Sequence, residues 1–282
     1  MKNLKNKVAA ITGAGSGIGR ATSVLLARNG CHLALSDVNE KGLNETATLC
    51  RQQGVKVTTQ KLDVADKAGV YAWADQVVAD HGQVNLIINN AGVALGATVE
   101  DMSYEDFNWV MDIDFWGVVY GTKAFLPHLK AAGEGHIVNI SSIFGLIAVP
   151  TQSAYNAAKF AVKGFTEALR EELEIEGANV GVTCVHPGGI KTNIAASARI
   201  TESKGLIDAK AQKDFEKAFT TSPEDAAKVI VGAIKANSPR LLIGKDAVAV
   251  DLMQRLLPTA YQKLLVAGAR LRRNQTLKRQ PA

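Results

Sequence analysis

The sequence predicts a doubly wound α/β fold, in which a seven-stranded parallel sheet is covered by helices on both faces. Apolar runs of strand length alternate with helix-length segments along most of the 282 residues. These runs are solidly apolar rather than alternating with polar residues, as is typical of parallel strands buried on both faces. Hydrophobic residues make up 47% of the chain and charged residues 21%, a balance that can build such a core.

The predicted elements follow one another in regular order, and right-handed crossovers are expected between the strands. The predicted strands are Val8–Thr12, His32–Ser36, Val55–Leu62, Val84–Asn89, Gly135–Ser141, Val180–His186 and Arg240–Ile243. The predicted helices are Gly17–Asn29, Glu40–Gln53, Lys67–His81, Tyr104–Ala132, Gln152–Glu176 and Pro223–Ala236. Seven strands in one sheet indicate a single domain over residues 1–245.

Two segments interrupt this alternation. Residues 190–222 contain no convincing strand and follow a predicted strand end, where a lid over a binding site would lie. An ordinary surface excursion is the alternative. Residues 246–282 are predicted to be a C-terminal helical extension, divided at Pro258, with a basic tail.

The C-terminal extension has helical apolar spacing and allows two interpretations. We favour helices packed on their own subunit or on a neighbour, followed by a solvated end. The alternative is a basic amphipathic segment that touches a membrane surface or a lipid-like substrate.

Composition argues against several classes of protein. The net charge of +5 is modest and no basic stripe crosses the body of the chain, so nucleic-acid binding is not expected. No segment is long enough to span a bilayer. Cys31, Cys50 and Cys184 lie far apart, which predicts reduced thiols in a cytoplasmic protein. Histidine and cysteine spacing predicts no metal site.

A glycine-rich segment follows the first predicted strand and opens the first helix. Glycine lets the backbone turn sharply and approach a pyrophosphate, and the helix start attracts the anion. The spacing Gly-x-x-x-Gly-x-Gly differs from the commoner dinucleotide fingerprint, and a purely structural turn is the alternative. The candidate phosphate-binding residues are Gly13, Ser16, Gly17, Ile18 and Gly19.

Asp37 closes the second predicted strand, eighteen residues after Gly19. An acidic side chain at this distance can accept hydrogen bonds from the adenosine ribose and would repel a 2′-phosphate. Val38, rather than an arginine, follows it. This pattern favours NAD over NADP, although Asp37 or Asn39 could also cap the next helix.

Tyr155 and Lys159 lie four residues apart in a predicted helix, so both side chains share a face. A phenol has a pKa near ~10, and an adjacent ammonium is expected to lower the pKa of Tyr155 toward the working range of a general acid–base. Ser142 ends the fifth predicted strand, where its hydroxyl would bind a developing alkoxide. Taken alone, a surface Tyr–Lys pair and a turn-forming serine are the alternatives.

In its motifs the chain resembles the short-chain dehydrogenase/reductase family, in particular its single-domain, NAD-preferring branch. The resemblance covers about residues 6–245 and rests on Thr12–Gly19, Asn89–Gly92, Ser142, Tyr155 with Lys159, and Pro187–Gly188. It implies a homo-oligomer, either a tetramer or a dimer. It also implies further cofactor contacts at Asp63, Val64, Asn90, Ala91, Gly92, Tyr155, Lys159, Pro187, Gly188, Ile190 and Thr192.

Asp114 departs from the family pattern, which usually has asparagine at this position. In the family, that asparagine shapes the helix and holds a water that links the lysine to solvent. Aspartate has nearly the same shape but adds a negative charge near Lys159. We expect Asp114 to act with the catalytic residues and to change the pH profile.

These observations predict an oxidoreductase that transfers a hydride between NAD(H) and a hydrophobic secondary alcohol or ketone. The predicted substrate contacts are Ser142, Phe144, Gln152, Tyr155 and Gly188. Asp114 motivates an alternative, a dinucleotide-binding regulatory protein with impaired catalysis. Related epimerases and dehydratases are a further alternative, but they usually have a different glycine spacing and a longer substrate domain, and this sequence shows neither feature.

Overall fold

The computed structural model describes residues 1–192, 194, 197–201 and 219–277. Its strands are β1 Val8–Thr12, β2 His32–Asp37, β3 Val57–Lys61, β4 Leu86–Asn89, β5 Leu95–Gly96, β6 Gly135–Ile140, β7 Val180–Pro187, β8 Arg199–Ile200 and β9 Arg240–Ile243. Its α-helices are α1 Gly17–Arg28, α2 Glu40–Arg51, α3 Lys67–His81, α4 Tyr104–Met111, α5 Gly117–Ala131, α6 Ser153–Glu176, α7 Pro223–Ala236, α8 Lys245–Leu256 and α9 Tyr261–Leu277.

The main sheet has the strand order β3-β2-β1-β4-β6-β7-β9, and all of its strand pairs are parallel. The chain first runs outward from β1 to β3 and then returns to the other side of β1 through β4. The carboxyl ends of β1 and β4 therefore flank the crevice in which doubly wound folds bind ligands. The predicted fold class is confirmed.

Helices cover the sheet on both faces. Helices α1, α2 and α7 contribute to one apolar cluster, and α3, α5 and α6 contribute to the other. Along β1, Ala9 and Ile11 belong to the first cluster, whereas Val8 and Ala10 belong to the second. Successive strand residues thus point into two different apolar layers, which is why the strands read as unbroken apolar runs.

Helix starts follow local sequence signals. The Ser222 hydroxyl accepts a hydrogen bond from Asp225 N at 3.1 Å, and Pro223 occupies the first turn of α7. The Asn39 side chain caps α2 by accepting from Gly42 N at 3.2 Å. Both arrangements satisfy amide groups that a helix start leaves without a partner.

One predicted helix is wrong in detail. The segment predicted as a continuous helix over Tyr104–Ala132 contains a π-helical turn, Asp112–Trp116, between α4 and α5. Asp114 lies in this turn and is completely buried. Single π-helical turns inside α-helices occur frequently at functional sites.

The region predicted to lack strands, 190–222, contains the short strand β8, which pairs in parallel with β5. Most of the predicted lid, residues 193, 195–196 and 202–218, lies outside the described residues. The C-terminal extension forms two helices divided near Pro258, as predicted. The Tyr261 hydroxyl accepts a hydrogen bond from Ala148 N at 3.1 Å and ties the start of α9 to the body.

The three cysteines are buried and unpaired. Burial raises the pKa of the Cys31 and Cys184 thiols to about 12, so both stay protonated at neutral pH. Among the described helices, none is long and apolar enough to cross a membrane.

Candidate active site

A cavity of about 870 Å³ runs along the carboxyl edge of the sheet. Every predicted site residue lines it except Gly19 and Asp114, which lie just behind its wall. The predicted residues in the lining are Gly13, Ser16, Gly17, Ile18, Asp37, Asp63, Val64, Asn90, Ala91, Gly92, Ser142, Phe144, Gln152, Tyr155, Lys159, Pro187, Gly188, Ile190 and Thr192.

The glycine-rich turn forms a tight cradle at one end of this cavity. Gly13 and Gly17 have φ values of +63° and +52°, a region that favours glycine. A Cβ atom on Gly13 would lie 2.8 Å from Ala91 Cα, so no side chain can be added there without displacing the backbone. The Ser16 side chain does not cap α1, so the amide groups of the first turn remain available to an anion.

Asn90 fixes this cradle from behind. Its side-chain amide donates to Thr12 O at 2.9 Å and to Gly13 O at 3.0 Å. The Thr12 hydroxyl accepts from the backbone amides of Asn90 and Ala91 at 3.0 and 3.1 Å. The motifs that follow β1 and β4 are thereby joined into one rigid edge.

Asp37 lies at the end of β2 and reaches toward the same cradle. Its carboxylate accepts from Gly15 N and from Asn39 N, both at 2.8 Å. Arg20 is nearby, but its guanidinium donates to Gly15 O at 2.5 Å and to the Thr46 hydroxyl at 2.9 Å and does not line the cavity. The described residues therefore place a carboxylate, rather than a free cation, at this part of the wall.

The remaining predicted cofactor residues lie in two other parts of the cavity wall, one after β3 and one after β7. Asp63 is exposed, whereas Val64 is buried against Gly117. On the other side, Gly189 N donates to the Asp246 carboxylate at 2.6 Å, which holds the turn after β7. A Cβ atom built on Gly17 would lie 3.0 Å from the Thr192 side chain. The segment that follows β7 therefore reaches the glycine cradle.

Tyr155 is half-buried in the cavity wall, and the Ser142 hydroxyl lies near its phenol group. Burial raises the pKa of Tyr155, although the Lys159 ammonium and the nearby Ser142 hydroxyl oppose this effect. The Asp114 carboxylate raises the pKa further. Lys159 thus acts in the predicted direction, but the predicted net lowering is wrong because burial outweighs it.

Lys159 and Asp114 form a buried ion pair behind Tyr155. The Lys159 Nζ atom lies 3.1 Å from Asp114 Oδ2 and 5.5 Å from the centre of the Tyr155 ring, and it donates to Ile140 O at 3.2 Å. Burial by itself lowers the pKa of Lys159, but the Asp114 carboxylate raises it above its ordinary value. The lysine is therefore held in its charged form.

Asp114 has a second partner in the loop after β4. Its Oδ1 atom accepts from Val93 N at 2.7 Å. Burial raises the pKa of Asp114, with Lys159 and the Val93 amide opposing. The π-helical turn thus joins the loop that contains Asn90–Gly92 to the helix that carries Tyr155 and Lys159.

Ser142 has a structural role in addition to its predicted catalytic role. Its hydroxyl accepts from Phe144 N at 3.1 Å and caps a short 3₁₀ turn, Ile143–Gly145. His186 Nδ1 donates to Ser142 O at 3.0 Å, and burial lowers the pKa of His186 to about 4, so this histidine is neutral. The ring of Phe144 packs edge-on against Tyr155, with ring centres 6.1 Å apart.

Sequence reasoning missed part of the cavity wall. Trp109, which the sequence did not indicate as a site residue, lines the cavity, and the Arg199 guanidinium lies 3.8 Å from its ring centre. Helix α9 also lines the cavity, through Leu264, Leu265, Gly268, Ala269 and Arg273. The apolar spacing of α9 predicted a helix but did not indicate what that helix would cover.

The model of the family described as short chain dehydrogenase matches residues 7–203. The chain belongs to the short-chain dehydrogenase family. Its sequence is 50% identical over 273 residues to SadH of Mycobacterium tuberculosis, which is named an oxidoreductase, and the match covers 95% of this chain and 97% of that protein. The predicted family is confirmed, and the chain is an oxidoreductase of this family.

Two solved structures of the family show the same architecture. A short chain dehydrogenase/reductase from Burkholderia phymatum in complex with NAD has a TM-score of 0.83 and 31% identity, covering 90% of this chain and 95% of that one. An alcohol dehydrogenase from Thermococcus sibiricus complexed with 5-hydroxy-NADP has a TM-score of 0.70 and 28% identity, covering 84% and 95%. Structural neighbours thus include complexes with both types of nicotinamide cofactor.

Proposed function

We propose that this chain is an NAD-dependent dehydrogenase that interconverts a hydrophobic secondary alcohol and its ketone. The observation that carries the proposal is that Tyr155, Lys159 and Ser142 share a largely apolar cavity with the glycine cradle. When bound, NAD would supply or accept the hydride. The cradle has the close backbone approach and the uncapped helix start that a pyrophosphate requires.

The protein's own residues handle the proton. Tyr155 gives a proton to the carbonyl oxygen in reduction and takes it from the hydroxyl in oxidation, while Ser142 orients that oxygen. Because burial raises the pKa of Tyr155, the phenol is the resting form at neutral pH. Oxidation requires the phenolate, so its rate rises with pH, and the charged Lys159 reduces the cost of forming that phenolate.

The preference for NAD over NADP rests on Asp37. A 2′-phosphate near this carboxylate would meet like charge, and no cation among the described lining residues lies beside Asp37 to compensate. The hydrophobic substrate class is supported by the apolar lining near Tyr155, which includes Leu95, Phe144 and Val149.

The test is Tyr155→Phe, which removes only the hydroxyl. We expect turnover with NAD and hydrophobic secondary alcohols to fall by at least about 100-fold, the usual scale for loss of a general acid–base. NADH binding, measured by fluorescence titration, should persist. Tyr104→Phe is the matched control, since Tyr104 is 90% exposed and lies outside the cavity. A fully active Tyr155→Phe protein would refute the mechanism.

A second candidate function is a dinucleotide-binding regulatory protein. Asp114 favours it, because a buried carboxylate 3.1 Å from the Lys159 ammonium raises the pKa of Tyr155 and makes the phenolate harder to form. Under this alternative the purified protein binds NADH but oxidises no alcohol in a broad panel at any pH. Measurable turnover with any member of the panel excludes it.

The remaining expectations from the sequence stay predictions. These are a cytoplasmic location, a homotetramer or homodimer, and a division into a dehydrogenase domain over 1–245 and a helical extension over 246–282. Size-exclusion chromatography with light scattering would determine the oligomeric state directly.

A further inference from the structure

One side of helix α9 faces the cavity, and it carries none of the predicted catalytic residues. Leu264 and Gly268 lie one turn apart along it, as do Leu265, Ala269 and Arg273, so these residues share one side of the helix. The hydrogen bond between the Tyr261 hydroxyl and Ala148 N fixes the start of this helix near the 3₁₀ turn that follows Ser142.

Charge is sparse in the described lining of the cavity. Asp37 ends β2 and Asp63 lies just after β3, on the side where the cofactor is expected. Lys159 is paired with Asp114. Arg273 is the remaining charged group, and it makes no ion pair within the described part of the chain.

We propose that α9 selects substrates with an apolar body and a remote anionic group, which Arg273 binds. This inference rests on the proposed dehydrogenase function. The apolar positions from Leu264 to Ala269 would contact the body of the substrate, and the guanidinium would pair with the anion. Arg273 lies nine positions after Leu264, which corresponds to roughly 13 Å along a helix. The anionic group therefore belongs at the far end of the apolar body, away from the carbinol carbon.

Gly268 sets the space available to that body. Among the residues that the structure describes, none lies within 4 Å of a Cβ atom built on Gly268, although the residue lines the cavity. A larger side chain at this position would occupy open space at the edge of the cavity without displacing any of the described atoms. Gly268→Leu should therefore reduce kcat/KM for long substrates about tenfold and leave short ones little affected.

The charge test uses pairs of secondary alcohols of equal length, one with a methyl end and one with a terminal carboxylate. Wild-type protein should prefer the carboxylate member about tenfold in kcat/KM. Arg273→Gln should abolish this preference, and Arg273→Lys should restore part of it. Arg270→Gln is the matched control, because Arg270 is an exposed arginine of the same helix that does not line the cavity.

A second arm distinguishes the sources of the anion. A 3-hydroxyacyl thioester of phosphopantetheine carries a phosphate instead of a carboxylate at its far end. Preference for the carboxylate alcohol indicates a free acid, and preference for the thioester indicates a carrier-bound one. If Arg273→Gln and Arg270→Gln reduce the preference equally, or if wild-type protein shows none, the proposal is overturned.

Failure of this proposal can be told apart from failure of the proposed function. Turnover of the neutral alcohols, and its loss in Tyr155→Phe, tests the dehydrogenase activity without reference to Arg273. If no alcohol is turned over, calorimetric titration of the same ligands into the protein with NADH still applies. Weaker binding of the carboxylate ligand to Arg273→Gln than to Arg270→Gln supports the anion site, and equal binding overturns it.

Discussion

The two sides of the cavity are built in different ways. On the cofactor side, the glycine turn after β1 is held by hydrogen bonds of about 3 Å from Asn90, and an added Cβ on Gly13 would meet backbone at 2.8 Å. On the α9 side, Leu264 is 60% exposed, and no other described residue comes within 4 Å of the place where a Cβ on Gly268 would stand. The first side is closely packed, whereas the second makes few contacts with the other residues that the structure describes.

This difference implies that the two sides of the cavity tolerate substitutions differently and have different roles. Close packing makes the cofactor side intolerant of added volume, because neighbouring backbone cannot move away cheaply. The exposed face of α9 can change side chains with little effect on the free energy of unfolding. We therefore expect the core of the fold to fix the geometry of the cofactor, and side chains along α9 to change substrate preference without disturbing that geometry.

The largest expected effect comes from adding one methyl group on the cofactor side, compared with the same addition on the α9 side. In Gly19→Ala the new Cβ would lie 2.1 Å from Gly13 O and 2.7 Å from Asn90 Nδ2. We expect a loss of about 3 kcal/mol in the free energy of unfolding and a loss of NADH binding. Gly268→Ala is the control, and it should be neutral or stabilising by at most about 1 kcal/mol, because a helical glycine is replaced where no described residue lies within 4 Å of the new Cβ. Urea unfolding and NADH titration measure both, and equal destabilisation would contradict the comparison.

The difference between the two sides of the cavity also explains which features could be predicted from the sequence. Solidly apolar runs such as β1 and β6 predict buried parallel strands, and strand order then brings Gly13, Asn90 and Ser142 to one edge of the sheet. The four-residue spacing of Tyr155 and Lys159 places both on one face of α6. These predictions depend on local patterns and on the topology of doubly wound sheets.

Other features depend on long-range packing that no local pattern encodes. The π-helical turn at Asp112–Trp116 has the apolar spacing of an ordinary helix, and burial of Asp114 depends on Lys159, which lies 45 residues later in the sequence. Strand β8 has only two residues and exists because β5 lies beside it. The net pKa shift of Tyr155 could not be predicted either, because it depends on the extent of burial.

An intermediate effect is expected for Asp37→Asn, which tests whether charge on the cofactor side sets cofactor choice. Removing the carboxylate charge should lower the ratio of kcat/KM for NAD to kcat/KM for NADP by about tenfold, equivalent to about 1.4 kcal/mol. Asp63→Asn is the control, since Asp63 also lines the cavity and its carboxylate accepts from Ala65 N at 3.0 Å. If both substitutions change the ratio equally, general charge rather than the position of Asp37 governs the choice.

The smallest effect on rate is expected at Asp114, which connects the loop after β4 to α6 through Val93 and Lys159. The Asp114 carboxylate raises the pKa of Tyr155, so Asp114→Asn should lower it and form the phenolate at lower pH. The rising limb of alcohol oxidation against pH should therefore move to lower pH, while the plateau kcat changes by less than about fivefold. Asp112→Asn, an exposed substitution in the same π-helical turn, should leave the limb in place. A limb that moves to higher pH instead would mean that Asp114 acts chiefly by keeping Lys159 charged, because a neutral lysine would no longer stabilise the phenolate.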